Sequence, residues 1–221
     1  MASCELRQEY EFADEGLTQI SVWSRGVLQN KEGRDIVIVL AHAAGIDGNY
    51  ADAWENYVDL PDRVGVPVRS FARVSSSPIE MKYVYVNEEP DIVVVTDESL
   101  VKGTPVTQGM KPGGVLVVNT KREPSYILQF LCDTGNIGKL VCVDASASAE
   151  LQVTLSGAEG ATDATGLAKG WAAVLAGAVA RATGIVSLDA LKKSVARPEL
   201  AELGFDSAVV LDLEEVGGAD R

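Results

Sequence analysis

The sequence is short of cysteine, histidine and positive charge, and each shortage argues against a class of function. Its 221 residues include three cysteines and one histidine. Cys4, Cys132 and Cys142 are too far apart for the paired ligands of a zinc or iron–sulfur site, and no second histidine accompanies His42. The 32 acidic residues outnumber the 19 Lys and Arg, giving a formal net charge of −13. This balance argues against nucleic acid and anionic membrane surfaces as partners.

Long hydrophobic runs are absent as well. No stretch approaches the roughly 20 apolar residues that a membrane-spanning helix needs. The first residues, MASCELRQEYEF, lack the basic and apolar regions of a signal peptide. A sparse, odd set of cysteines fits a reducing compartment. We therefore expect a cytoplasmic protein.

Most short catalytic motifs are missing too. The chain contains no GxSxG, HExxH or Walker A sequence. After the first predicted strand the only nearby glycines are Gly26 and Gly33, which are too far apart for a GxGxxG phosphate loop. Asp97, Glu98 and Asp144 lie at the ends of predicted strands and are acid or base candidates, although most residues in such positions cap a following helix. The sequence alone therefore predicts a ligand-facing domain without its own catalytic apparatus.

The stretch from Asp91 to Thr120 organises the predicted fold. Ile92–Val95 and Val115–Val118 are apolar at every position, which is typical of strands buried on both faces. About 20 residues separate them, enough for a right-handed crossover between parallel strands. The loops that follow would lie at the carboxyl edge of the sheet, where open α/β sheets bind ligands.

The remaining pattern predicts one Rossmann-like α/β domain with a mainly parallel, twisted sheet, flanking helices and a helical C-terminal end. Further strands are predicted at Thr18–Trp23, Val66–Val74, Lys82–Asn87 and Lys139–Asp144. Residues 33–48 fit a strand or a helix, and their position after a strand favours a helix. Other helices are predicted at Pro124–Cys132, at Thr162–Gly184, after the capping residue Ser187, and from Pro198 through Phe205, Val209, Leu213 and Val216.

Arginines mark one predicted strand. Arg69 and Arg73 flank Phe71 on one face of the segment 66–74, and Arg63 lies just before it. Either this is an exposed face with solvated arginines, or it is a site for an anion or carboxylate, which the planar guanidinium suits.

Four segments together resemble one family. They are Leu40–Tyr50 (LAHAAGIDGNY), Asp62–Pro78 (DRVGVPVRSFARVSSSP), Pro90–Thr120 and Ala180–Val195 (ARATGIVSLDALKKSV). In this order the chain resembles the gamma subunit, or gamma domain, of the 2-oxoacid:acceptor oxidoreductases, the pyruvate:ferredoxin oxidoreductase family. The resemblance covers about residues 18–200. It implies an acidic lead-in over 1–17, a gamma-type α/β domain over 18–200, and an acidic C-terminal helix or tail over 201–221.

The resemblance implies a subunit that is inactive alone. Its complex would contain alpha, beta and ferredoxin-like delta subunits and would pass electrons to an external ferredoxin or an NAD-linked subunit. Thiamine diphosphate, magnesium, iron–sulfur clusters and coenzyme A are expected in the complex, and no cofactor in this chain alone. The gamma domain would be a lid on the coenzyme A side of the active site. The alternatives are a non-catalytic scaffold subunit and a free-standing dinucleotide-binding oxidoreductase.

The resemblance departs at one loop. Members of the family carry a GRGGQG-like loop after the first strand, whereas this chain has SRGVLQ over residues 24–29. The loss of glycines removes the close backbone approach that a phosphate needs. The RxGxPV segment over residues 63–68 is retained. The resemblance implies no catalytic residue and no metal ligand here, and it predicts the residues that face substrate or coenzyme A: Arg25, Gly26, Arg63, Gly65 and Arg69.

Overall fold

The computed structural model describes residues 16–26, 30–55, 65–80, 84–146 and 170–213. These segments form a seven-stranded sheet in the order β2-β3-β1-β4-β5-β6-β7. The strands are β1 (Thr18–Arg25), β2 (Tyr50–Glu55), β3 (Pro67–Ser75), β4 (Ile92–Val95), β5 (Gly114–Asn119), β6 (Ile137–Val143) and β7 (Val209–Asp212). The helices are α1 (Asn30–Ile46), a 3₁₀ helix (Glu98–Lys102), α2 (Pro124–Leu128), α3 (Trp171–Thr183), α4 (Leu188–Ser194) and α5 (Pro198–Ser207).

The centre of the sheet is parallel, as predicted. Strands β1, β4, β5 and β6 pair with one another in parallel, in that order. Strands β3 and β7 are antiparallel to β1 and β6, and β2 is antiparallel to β3. Among the described strands, five therefore run in one direction. The predicted unit over 91–120 is confirmed, with the 3₁₀ helix inside its crossover.

The apolar runs are explained by two helical layers. All four residues of β4 are buried. Val94 belongs to the core beneath α1 and α3, whereas Val93 and Val95 belong to the second core, beneath the 3₁₀ helix. Because both faces of the strand are covered, no position can be polar, and the alternation of a half-exposed strand is absent.

The ambiguous segment after β1 is a helix. Ile36, Val39, Leu40 and Ala43 are fully buried on the side of α1 that faces the sheet. Gly33 lets this helix approach β1 closely, because a Cβ there would lie 2.8 Å from the Ser24 hydroxyl oxygen. The hydrophobic periodicity of this segment was compatible with a strand or a helix. The helix predicted from its position after β1 is confirmed.

Two predicted helix ends are confirmed. Helix α3 ends at Gly184, which adopts the left-handed φ of 66° and donates its N–H to the Ala180 carbonyl. The Ser187 side chain accepts a hydrogen bond from the Ala190 N–H and begins α4. The predicted start of the long helix at Thr162 lies outside the described residues. No helix in the described segments is long and apolar enough to cross a bilayer.

Two predictions, one of a helix and one of a strand, are wrong in extent or type. Helix α2 ends at Leu128 rather than near Cys132. Residues 84–87 are not a strand; instead the buried Asn87 amide donates to the carbonyls of Ile20 and Ala72, at 2.9 and 3.1 Å. Residues 82 and 83 lie outside the described part.

The prediction that the helix beginning at Pro198 continues through Val209 is wrong. There the chain forms β7, an antiparallel edge strand in which Val209 pairs with Cys142 and Leu211 with Leu140. Pairing with β6 outweighs the helical period of the sequence, as tertiary contacts commonly do for β-branched residues. Residue 216 is outside the described part.

Candidate functional site

A cleft of about 500 Å³ lies at the carboxyl edge of the parallel strands. The loops after β4, β5 and β6 line it, together with the first residue of α3. This is the edge at which the sequence predicted ligand-facing loops. The lining includes Asp97, Glu98, Asn119, Arg122, Asp144 and Trp171.

The Asn119 side chain links the strand ends that form the floor of the cleft. Its side-chain amide donates to the Thr96 carbonyl at 2.9 Å, and its oxygen accepts from the Ala145 N–H at 2.9 Å. One side chain at the end of β5 thus fixes the ends of β4 and β6 on either side. Its own exposure is only 9%, so water does not readily replace these bonds.

We expect Asn119→Leu to lower the free energy of unfolding by about 2 to 3 kcal/mol, because two backbone groups in a nearly buried place lose this partner. Urea denaturation measures the change. Asn136→Leu is the matched control, since Asn136 makes one bond, to the Met110 carbonyl, in a half-buried place. A loss for Asn119→Leu no greater than that of the control contradicts this role.

The three acid or base candidates have structural partners. Asp97 accepts from the Ser99 N–H at 2.9 Å and begins the 3₁₀ helix. Asp144 accepts from the Ser146 N–H at 3.0 Å. Glu98 accepts a hydrogen bond from the Thr120 hydroxyl. The contacts of Asp97 and Asp144 agree with the capping interpretation of residues at strand ends, and each of the three carboxylates also accepts from a neighbouring serine or threonine hydroxyl.

Lys121 and Arg122 lie at the rim of the cleft, close to these carboxylates. The Lys121 ammonium is 3.8 Å from an Asp144 oxygen and its side chain is 70% exposed. The Arg122 guanidinium lies 3.5 Å from Glu98 and 4.3 Å from the centre of the Tyr126 ring. Exposed ion pairs at such distances contribute little to stability, and the two cations lie among three carboxylates, Asp97, Glu98 and Asp144.

Arg25, Gly26 and Gly65 come together at the end of β1. The Arg25 Nε donates to the Ser99 hydroxyl at 2.9 Å, and one terminal nitrogen donates to the Gly65 carbonyl at 3.0 Å. The Gly26 N–H donates to the Val66 carbonyl at 2.8 Å. The structure thus groups three of the predicted ligand-facing residues in one corner. Arg63, the fourth, lies outside the described residues.

Arg69 lies on the same face of the sheet. It pairs across β1 and β3 with Trp23, and its guanidinium is 5.1 Å from that ring and 5.3 Å from the Phe71 ring. Since alternate residues of a strand share a face, Arg25, Trp23 and Arg69 lie on the same face, with Trp23 next to Arg25 along β1 and opposite Arg69 on β3.

Arg73 is different. Its side chain is 3% exposed, 3.4 Å from the Asp52 carboxylate and stacked 5.2 Å from the Trp54 ring. The interpretation of this strand face as solvated arginines is therefore wrong for Arg73, which is buried and paired.

Glu32 is a site residue that the sequence did not indicate. It lies in the first turn of α1, and the Ala172 N–H at the start of α3 donates to its carboxylate. Burial, followed by the neighbouring Asp35 carboxylate, raises its pKa to about 7. A glutamate in the first turn of a helix is common, so only the docking of α3 reveals this environment.

Among the described residues, Cys142 and His42 show no sign of chemistry. Burial raises the pKa of Cys142 to about 12, so its thiol stays protonated. His42 is exposed on α1. No group of three His, Cys, Asp or Glu side chains suited to a metal ion occurs in the segments that the structure covers.

Comparison with known sequences gives a consistent match. The sequence model of the family described as pyruvate ferredoxin/flavodoxin oxidoreductase matches residues 37–202. The pyruvate/ketoisovalerate oxidoreductases common subunit gamma of Thermococcus kodakarensis is 35% identical over 171 residues, covering 77% of this chain and 82% of that protein. The pyruvate synthase subunit PorC of Thermotoga maritima is 32% identical over 157 residues, covering 71% of each.

Solved structures agree. The crystal structure of the pyruvate oxidoreductase subunit PORC from Thermotoga maritima has a TM-score of 0.64 and 25% identity, covering 90% of this chain and all of that one. The gamma subunit of a keto/oxoacid ferredoxin oxidoreductase from Geobacter sulfurreducens has a TM-score of 0.59 and 21% identity, covering 87% and 96%. This second likeness shows the fold alone.

Proposed function

This chain belongs to the pyruvate ferredoxin/flavodoxin oxidoreductase family as a gamma subunit of a multi-subunit 2-oxoacid oxidoreductase, and we propose that it is the lid on the coenzyme A side of an active site carried by other subunits. In this proposal alpha, beta and ferredoxin-like delta subunits hold thiamine diphosphate, magnesium and the iron–sulfur clusters. The complex decarboxylates a 2-oxoacid oxidatively, usually to an acyl-CoA. Electrons leave to ferredoxin or to an NAD-linked subunit, and the chain alone is inactive.

The lid role is supported by what the cleft provides. Its carboxylates cap helices or pair with cations, so the described residues offer positioning rather than proton transfer. Thiamine diphosphate supplies the reactive carbanion in such enzymes, and the protein around it supplies orientation and exclusion of water. A gamma subunit fits that division of labour as a cover that closes over the reacting groups and admits the acceptor thiol.

The surroundings of Arg69 are the observation that supports placing this chain on the coenzyme A side of the active site. It is half-buried against two aromatic rings, and it has no carboxylate partner within the described part of the chain. Stacking leaves the nitrogen edge of a guanidinium free to bind a planar or tetrahedral anion. Arg69 is therefore suited to a phosphate or carboxylate group of a ligand.

The contacts around Arg25 and Gly26 indicate which groups are available to hold such a ligand. In a glycine-rich loop the backbone N–H groups point at the phosphate. Here the Gly26 N–H is already bonded to the Val66 carbonyl. The Arg25 guanidinium is also engaged, by Ser99, Gly65 and Asp97. We therefore propose that the Arg69 guanidinium holds the anion in this chain, in place of the backbone cradle that the lost glycines would form.

We expect Arg69→Ala in the assembled complex to raise the KM for coenzyme A about tenfold, because a charged hydrogen bond contributes about 1.5 to 3 kcal/mol. The KM for the 2-oxoacid should not change. Steady-state kinetics of the purified complex measures both. Arg181→Ala is the matched control, since Arg181 is exposed and also lies over an aromatic ring, 5.6 Å from Phe205.

The same assays separate the alternatives. Unchanged coenzyme A kinetics for Arg69→Ala would favour the scaffold subunit. Oxidation of a 2-oxoacid by this chain without partners would contradict the lid model. Binding of NAD(P)H by the isolated chain, followed by fluorescence, would favour the dinucleotide-binding alternative.

A further inference from the structure

Glu32 joins the first turns of two helices at the cleft. One carboxyl oxygen accepts the Ala172 N–H at the start of α3. The other, Oε2, is buried and has no hydrogen-bond partner among the residues described. Trp171, the residue before Ala172, lines the cleft. The Glu32 carboxyl group is therefore one residue away from a wall of the site.

The charged groups around this carboxyl group come mainly from α1. Asp35 is 4% exposed, and the Arg34 Nε lies 3.8 Å from its Oδ1. Arg34 also reaches Glu55 of β2, at 4.0 Å, and its side chain is 43% exposed. Lys31 is exposed on the preceding position.

Glu55 of β2 reaches this end of α1 through Arg34, and the other elements packed against the helix bring no further charge there, as far as the structure describes them. The first turn of α3 is Trp-Ala-Ala-Val and contains no titratable side chain. Beneath Gly33, β1 and β3 present the hydroxyl groups of Ser24 and Ser70. Helix α4 meets the opposite end of α1, where the Ser187 N–H and hydroxyl donate to Asp47.

The surroundings of Glu32 have opposing effects on its pKa. The dipole of α1, the Ala172 N–H and Lys31 favour the carboxylate. Burial and Asp35 favour the neutral acid, and burial is the largest of these effects. With a pKa of about 7, both forms are populated at neutral pH.

We propose that Glu32 is a protonation-dependent latch between α1 and α3, which moves Trp171 and reshapes the cleft when the carboxylic acid ionises. The neutral acid fits between the two first turns at a lower desolvation cost than the carboxylate. The carboxylate needs water or a cation at the same oxygen. Admitting water separates the turns, and Trp171 moves with the start of α3.

The test is ¹⁹F NMR of the full chain labelled with 5-fluorotryptophan, with the Trp171 resonance assigned by Trp171→Phe. We expect this resonance to titrate with a midpoint near pH 7. In Glu32→Gln it should stay at the low-pH position. In Asp35→Asn the midpoint should fall, because the carboxylate that favours the neutral acid has been removed.

His42→Gln is the control variant, since it replaces the one histidine in the sequence. It should leave the Trp171 titration unchanged. A Trp171 resonance that does not move between pH 5.5 and 8.5 overturns the latch, as does a titration that survives in Glu32→Gln. The isolated chain is sufficient, so the result does not depend on the lid proposal.

Discussion

Gly204→Ala is expected to lower the free energy of unfolding by about 3 kcal/mol, at the upper end of the usual cost of overpacking. A Cβ at Gly204 in α5 would lie 1.9 Å from the Val174 carbonyl oxygen of α3. The reciprocal contact is as close, since a Cβ at Gly177 would lie 2.1 Å from the Ala201 carbonyl oxygen. Both obstacles are backbone atoms, so no side chain can rotate away and the helices must separate.

Gly45→Ala is the matched control. Gly45 lies in α1, and a Cβ there would meet no atom within 4 Å. Alanine should raise stability at this position by about 0.5 to 1 kcal/mol, because glycine loses more backbone entropy in a helix. Urea denaturation of both variants measures the difference. Equal effects at the two positions would mean that α3 and α5 do not meet through their backbones.

This helix pair also matters for the site. Helix α3 is buried at almost every position along its length, and its first residue lines the cleft. Its position is set by contact with α1 on one side and α5 on the other. A shift of α3 in Gly204→Ala should therefore reach Trp171, and the labelled resonance of Trp171 reports it.

The sequence predicted the parts of the fold that local pattern determines. Ile92–Val95 could be recognised because both faces of β4 are covered, so the whole run is apolar. Val209 could not be placed, because its strand exists only through pairing with β6. The same holds for Asn87, whose buried bonds to two strands have no local signature.

The candidate site divides in the same way. The family resemblance pointed to Arg25, Gly26 and Gly65, and the antiparallel register of β1 and β3 brings them together. It could not show that the Gly26 N–H is occupied or that Arg69 stacks on Trp23, because these facts depend on packing between strands. Glu32 gave no signal, because its burial depends on a helix about 140 residues further along the chain.

Glu32 also predicts a pH dependence of stability. Its pKa rises from 4.5 to about 7 on folding, because burial disfavours the carboxylate. The native state therefore keeps the proton while the unfolded chain loses it. The stabilisation from this group is fully present below about pH 4.5 and is lost as the pH rises towards 7.

The comparison with Glu32→Gln isolates this effect. Between about pH 5.5 and 7.5 the wild type should lose roughly 2 kcal/mol of stability relative to Glu32→Gln, since one pKa unit corresponds to about 1.4 kcal/mol. Above pH 5.5 the 32 acidic residues stay ionised and outnumber the 19 basic ones. The resulting net charge keeps the protein soluble during the measurement. Urea denaturation at each pH measures the two curves.

Glu199→Gln controls for the loss of one negative charge, because Glu199 is exposed in the first turn of α5. Its stability curve should run parallel to that of the wild type, while the curve for Glu32→Gln should be flatter. If the Glu32→Gln curve keeps the slope of the wild type, the native state does not hold a proton on Glu32. The carboxylate would then be accommodated between α1 and α3 at every pH, and the latch would have no chemical basis.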